Sequence, residues 1–399
     1  MLRVSVAALL LLITGCSATD GGDPSGPASH RVTATESSAA PAPVESAPVT
    51  AAPHACAASA LAGMDLAHRV GQLLLVGVPV SDPGAGYTAL APYAVGGVFL
   101  AGRSSAGLDS IQAGVNRLQV AGLAATGTFL HVAADQEGGF VQALKGPGFT
   151  LIPTAVDQGS LPAAELTQLS AVWAGELQRA GVTLNLAPVA DTVPAGIGSA
   201  NPPIGASRRQ YGSDPAAVAT AVSTVVTALE AGGVGAAIKH FPGLGRVRAN
   251  TDISADAVDG ETTADDPTLQ PFVAGIQAGA SAVMISSASY PQLDPHDLAT
   301  FSAAVISDLL RGRLGYRGVV VSDDFGAAAA VQSRSPGERA VDFVRAGGDL
   351  ILTVLSDDVA PMTAALVAAA GDPGFAARIE EAALRVLIDK QDAGLLVCG

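Results

Sequence analysis

The sequence predicts an α/β fold of the (β/α)8, TIM-like barrel type, built as a single domain. The first observation is a count. Eight short apolar, β-branched runs lie at 72–78, 96–102, 128–135, 182–189, 234–241, 281–288, 317–324 and 349–355. The second is their character: they are apolar on both faces, as parallel strands are when helices cover them. The third is what lies between them. Ala- and Leu-rich stretches at 108–123, 163–180, 215–231, 269–278, 303–313 and 336–346 carry apolar residues at helical spacing. A chain of 399 residues, 49% of them apolar, has material for one large barrel plus extensions. A doubly wound open sheet is the alternative. No Gly-x-Gly-x-x-Gly opens a helix after the first run, which weakens the nucleotide-binding form of that alternative.

The chain before the barrel reads as two segments. Residues 1–15 have one arginine and an apolar stretch too short to span a bilayer comfortably, so they read as a targeting signal. They end at Ile13-Thr14-Gly15-Cys16, which resembles a bacterial lipobox and implies cleavage before Cys16 and lipidation of its thiol. An ordinary signal peptide with a chance cysteine is the alternative. Residues 16–53, rich in Ser, Thr, Ala, Pro and Gly without hydrophobic period, read as a disordered tether. The folded domain is expected over 54–399. With Cys16 assigned to lipid, Cys56 and Cys398 remain, one at each end of that domain. An exported compartment permits disulfides, and a clasp joining the termini is expected, against the alternative of two separate thiols. The protein is expected on the extracytoplasmic side of the membrane, held only by its lipid, as a monomer.

A net charge of −15 argues against nucleic acid or an anionic membrane surface as partner. The barrel reading also makes a positional claim, because active sites of such barrels lie where the strands end. Polar groups cluster at those places: Asp135 to Gly139 after the third run, Asp191 after the fourth, Lys239-His240 at the end of the fifth and Asp323-Asp324 at the end of the seventh. Any one of them reads as a turn residue or cap; four in register point to a site. There is no Cys/His cluster at metal-ligand spacing and no Gly-x-Ser-x-Gly elbow, so no metal, cofactor or serine nucleophile is expected. Several carboxylates with a lysine, a histidine and an arginine suit a neutral polyhydroxylated ligand, whose hydroxyls they can bind in bidentate fashion. A strand-end carboxylate can also attack an anomeric carbon.

The segments KHFPGLG (239–245), DQEGG (135–139), APVAD (187–191), RQYGSDP (209–215) and VVSDD (320–324) together resemble glycoside hydrolase family 3. The likeness is greatest to its single-domain bacterial β-N-acetylglucosaminidases and covers roughly residues 60–390. It implies a single catalytic domain that retains anomeric configuration and removes terminal β-linked sugars from cell-envelope glycans. It implies Asp323, in the family's VxSD position, as nucleophile. It implies Asp135, Arg209, Lys239 and His240 as the residues that grip the terminal sugar.

The sequence departs from the family pattern at several places. The family's mobile loop ends in Asp-Ser/Thr-His, whose histidine is the general acid/base; here those positions are Asn250, Thr251 and Asp252. Leu244 stands where a histidine is expected between glycines, Phe140 and Ala143 replace two arginines, and Ser287 replaces a histidine after the sixth strand. Asp252 has two readings. It could serve as the carboxylic acid that retaining glycosidases ordinarily use, which near neutral pH needs a raised pKa, or it could be a loop residue without a role. The missing arginines put N-acetylglucosamine specificity in question. Three activities remain open at this stage: exo-glycoside hydrolysis, glycan binding without catalysis, and transfer to phosphate or another acceptor.

Overall fold

The computed structural model describes residues 54–398. The expected signal segment, the tether and Cys16 lie outside the described residues.

The eight runs form one parallel barrel. Its strands are β1 (Leu74–Pro79), β2 (Gly97–Ala101), β3 (His131–Ala134), β4 (Leu184–Asn185), β5 (Gly235–Phe241), β6 (Ala282–Ile285), β7 (Val319–Ser322) and β8 (Ile351–Thr353). Successive strands from β1 to β7 pair in parallel, β8 pairs with β1, and a single parallel bridge, Val321 to Leu350, joins β7 to the start of β8. Backbone bonds from Leu350 N to Val320 O (3.0 Å), Ser322 N to Leu350 O (2.9 Å) and Phe325 N to Leu352 O (2.9 Å) close the seam between β7 and β8. The period of two divides each strand between two cores. Leu75, Phe99, Met284, Val321 and Leu352 fill the barrel interior. Val76, Val98, Val132, Ile238 and Val320 face outward against the helices.

The helices run at Leu108–Thr126, Ala163–Ala180, Pro215–Ala231, Gln270–Gln277, Ala304–Arg313 and Pro336–Ala346. Their ends follow local chemistry. Asp214 accepts a hydrogen bond from Ala217 N with Pro215 in the first turn, and Ser335 forms a capping box with Glu338. The helix at 163–180 ends on Gly181 at φ 82°, a conformation that glycine adopts without a Cβ clash. Three features depart from the expected pattern. β4 is only two residues long, a two-strand hairpin (Gln136–Gly138 with Val141–Gln142) follows β3, and two helices (Val359–Ala369 and Pro373–Asp392) follow β8. Among the described residues no helix is long and apolar enough to cross a membrane.

The two ends of the described domain meet at the barrel floor, where the strands begin. Helix Ala55–Ala62 packs on Pro373–Asp392, Leu395 O accepts from Phe129 N (3.0 Å), and a Cys56–Cys398 bond joins the two ends. Buried Lys390 donates from Nζ to Gln72 (2.7 Å) and Thr128 (3.1 Å), and burial pulls its pKa down to about 7. Beside the seam, fully buried Asp349 accepts from Arg311, from Arg378 (2.6 Å), from Arg385 (3.1 Å) and from Val320 N (3.0 Å). Removing one member of such a buried cluster leaves the rest uncompensated. Asp349→Ala is therefore expected to lower stability by about 3–5 kcal/mol, measured as a shift in the urea midpoint at constant m.

Candidate active site

At the opposite end of the barrel, the strand ends enclose a cavity of about 170 Å³. Its floor is apolar and belongs to the inner core: Phe99, Leu186, Met284 and Leu352. Its walls carry Asp135, Arg209, Lys239, His240, Asp252 and Asp323. All six residues singled out in the sequence for catalysis or sugar binding thus line one space, although they come from five separate segments of chain.

The wall from β3 to β5 is a charge network. Lys239 and His240 are consecutive, joined by a cis peptide, and both reach the cavity where the β5–β6 register shifts between Ile238 and Phe241. Lys239 Nζ donates to Asp135 Oδ1 (2.7 Å) and bridges to Glu137 Oε1 (2.7 Å). Arg209 holds the same Glu137 with two bonds, Nε to Oε2 (2.9 Å) and Nη2 to Oε1 (2.7 Å), and donates to Pro203 O (2.9 Å). Burial alone would raise the Glu137 carboxyl, but Arg209 and Lys239 overcome it and hold it down to about 2. Burial likewise opposes the charge on Lys239, and Asp135 and Glu137 more than offset that, raising its pKa. Both cations are thereby fixed in place while keeping N–H donors unused.

His240 is set by a different partner. Asp191 is fully buried and accepts from His240 N (3.2 Å), Leu244 N (2.7 Å) and the His240 ring at Nδ1 (2.7 Å). A carboxylate only accepts, so this bond places a proton on Nδ1 and leaves Nε2 as the ring's other polar atom.

The two aspartates after β7 differ in what they have already bound. Asp324 accepts from Gly326 N (2.8 Å), Ala327 N (2.8 Å) and Val354 N (2.9 Å), which ties the loop together. Asp323 accepts one bond, from Asp324 N (2.9 Å), and lines the cavity half-buried. Burial raises its pKa and Asp252 adds to the rise, while His240 and Lys239 oppose it. Asp323 therefore has free lone pairs directed at the cavity, and Asp324 has few.

The loop after β5 lies over the cavity. Asn250 Oδ1 accepts from Asp252 N (3.0 Å), and the carbonyls of Thr251 and Asp252 accept from Ala330 N (3.0 Å) and Ala329 N (3.1 Å). The loop is thus fastened to the segment that follows Asp323. Thr251 is buried and Asp252 is exposed. The other departures from the family pattern have distinct surroundings: Leu244 and Ala143 are buried, Phe140 is exposed, and buried Ser287 has an unpartnered hydroxyl among the described residues. Among those residues no group of three or more His, Cys, Asp or Glu is placed to hold a metal ion.

Sequence reasoning placed Glu137 and Asp191 at strand ends without roles. The structure makes Glu137 the common partner of Arg209 and Lys239, and Asp191 the partner that orients His240. The available signal was their position, two residues after Asp135 and at the end of the fourth run.

Residues 65–388 match the glycosyl hydrolase family 3 N terminal domain, and the chain belongs to that family. Among solved structures it is similar to a β-N-acetylhexosaminidase from Beutenbergia cavernae, with 49% identity, a TM-score of 0.80, and coverage of 82% of this chain and 99% of that one. It is also similar to a family 3 β-N-acetylglucosaminidase from a Paenibacillus species, at 31% identity and TM-score 0.76, over 83% of this chain and 63% of that one. A β-hexosaminidase from Stenotrophomonas maltophilia is 39% identical over 232 residues, 55% of this chain. The match spans 66% of the length of that curated relative.

The Glu137 carboxyl falls from an ordinary 4.5 to about 2 in the folded protein. It therefore contributes stability that is present above about pH 4.5 and is lost as pH falls from there toward 2. Glu137→Gln is expected to lower stability at pH 7 and to flatten the loss of stability between pH 5 and 3, both read from urea unfolding at stepped pH.

Proposed function

We propose that this protein is a retaining, exo-acting glycoside hydrolase of the β-N-acetylhexosaminidase type, working through a covalent glycosyl-Asp323 intermediate on cell-envelope glycans. The observation that carries the reading is the free Asp323 carboxylate opposite the Asp135, Lys239, Arg209 and His240 wall in one small cavity. At about 170 Å³, the cavity is small beside the ~300–1,000 Å³ of drug-sized sites and suits one terminal ring. In this reading the β3–β5 wall binds the ring hydroxyls and the apolar floor takes the ring face. Asp323 attacks the anomeric carbon as the bond to the leaving oxygen breaks, and that oxygen takes a proton. Water then cleaves the glycosyl ester and restores Asp323. Asp252, at the cavity edge, is the candidate proton donor and later acceptor.

A second reading, a glycan-binding protein without turnover, is supported by one observation: the acid/base position is an exposed aspartate. Hydrolysis of aryl N-acetyl-β-glucosaminide and aryl β-glucoside separates the two. The wild type is expected to turn over at least one of them, and Asp323→Ala to lose activity by on the order of 10⁴-fold or more. Absence of turnover on both, with glycan binding intact, would establish the binder. Asp252→Ala is expected to slow poor leaving groups by about 10²–10⁴ and good ones far less; equal losses would remove it as proton donor.

We also propose that Cys16 carries a lipid and holds the enzyme on the extracytoplasmic face. The lipobox-like Ile13-Thr14-Gly15-Cys16 supports this. Labelled fatty acid incorporated by the wild type and absent from Cys16→Ala is the expected result.

A further inference from the structure

Two parts of the cavity wall are loops, and one buried side chain joins them. The loop after β4 carries Pro203 and Arg209, and the loop after β5 carries Leu244, Asn250, Thr251 and Asp252; all six line the cavity. Asn201 is fully buried between the two loops. Its Oδ1 accepts from Ile204 N (3.0 Å) and Gly205 N (2.8 Å), within its own loop. Its Nδ2 donates to Leu244 O (2.7 Å) and Val247 O (2.9 Å), in the other. These partners fix which end of the amide is which, since two of them only donate and two only accept. Among the described residues, no other side chain hydrogen-bonds both loops.

Each half of that amide leads to a cavity group. On the β4 side, the turn that Asn201 closes supplies two of the oxygens that hold Arg209: Ile204 O accepts from Arg209 N (3.1 Å) and Pro203 O from its Nη1 (2.9 Å). On the β5 side, Val247 lies three residues before Asn250, whose Oδ1 accepts from Asp252 N (3.0 Å). Ala329 and Ala330 hold the far end of this loop, so the span that carries Asp252 is fixed between those bonds and Asn201. The base of the loop has little room to settle elsewhere: a methyl group at Gly245 would lie 1.8 Å from Thr192 O.

Resting on the glycoside hydrolase reading above, we propose that Asn201 is a positioning residue for the reaction: its amide docks the loop that carries Asp252 onto the loop that carries Arg209, and so sets the proton donor in register with the sugar grip. Asn201 touches neither the substrate nor the reacting atoms and acts through Asp252. A misplacement of about 1 Å at a reacting group costs on the order of 10²-fold in rate, which is the scale of loss expected when this dock is broken.

Asn201→Asp breaks one half of the amide and keeps the other. A carboxylate still accepts from Ile204 N and Gly205 N but offers Leu244 O and Val247 O no donor. The measurement is kcat/KM for phenyl and dinitrophenyl β-glycosides of the sugar that the wild type turns over. The variant is expected to lose about 10²-fold on the phenyl compound and less than about tenfold on the dinitrophenyl compound, whose leaving group needs no proton. In an Asp252→Ala background, the same substitution is expected to add no further loss on the phenyl compound, because the two residues act as a unit. Binding of the methyl 1-thio-β-glycoside of the same sugar, read by calorimetry, is expected to stay within about threefold of wild type, since the Arg209 side is kept. A purely structural defect would lower both substrates alike and loosen this binding with them. Equal losses on the two leaving groups, or an undiminished loss in the Asp252→Ala background, overturn the positioning role and leave the hydrolase reading standing. Asn201→Ser, which introduces no charge, is measured in the same way where the aspartate variant does not fold. Failure of both to fold also overturns the role and makes Asn201 a residue of stability alone. Absence of wild-type turnover on every aryl sugar removes the hydrolase reading and this inference with it.

Discussion

The functional end of the molecule depends on one buried anion. Glu137 sits between Arg209 and Lys239 and pairs with both, which lets two cations share one small, enclosed wall. Each charge taken from water costs several kcal/mol unless it is paired. The pairing here is two-sided, since Glu137 is held ionised by the cations and the cations are held in position by Glu137. The cavity-facing donors are therefore organised before any ligand arrives, and binding does not have to spend energy ordering them.

The barrel separates that task from stability. At the floor, Asp349 with its three arginines secures the β7–β8 seam, and Lys390 ties the last helix to Gln72 and Thr128. At the mouth, β7 delivers Asp323 and Asp324 together, and they take different work. Asp324 is consumed by three backbone amides and shapes the turn, which frees Asp323 for the cavity. The seam matters to the site because β7 is one of its two strands: a barrel that opened there would lose the position of Asp323 first.

Much of this was legible in the sequence. The eight apolar runs each became a strand, and five of the six anticipated helices keep at least one boundary, because a both-faces-buried strand and an amphipathic helix leave clear periodic signatures. The cavity residues were legible through their placement at strand ends and through the family resemblance. The partnerships were not. Glu137 reaches Arg209 across 72 residues and Asp191 reaches His240 across 49, and no local pattern encodes a contact between β3 and the segment after β4. The two-residue β4 was also hidden: Thr183 bonds β3 at Val132 N (2.9 Å) and Asn185 bonds the hairpin after it at Gln136 N (3.1 Å), both through side chains, where a longer ladder was expected. The exposure of Asp252 follows from how its loop is fastened to Ala329 and Ala330, again a contact between distant segments.

The bond between Cys56 and Cys398 turns the domain into a covalent ring whose closure lies on the floor, across the barrel from the mouth. A single cut in any loop between those cysteines would leave one linear molecule instead of two fragments, with its new ends wherever the cut fell. The mouth loops can accordingly vary in length and composition across evolution or engineering without disturbing how the domain begins and finishes. The same topology makes the domain a natural subject for circular permutation, with Cys56 and Cys398 already side by side.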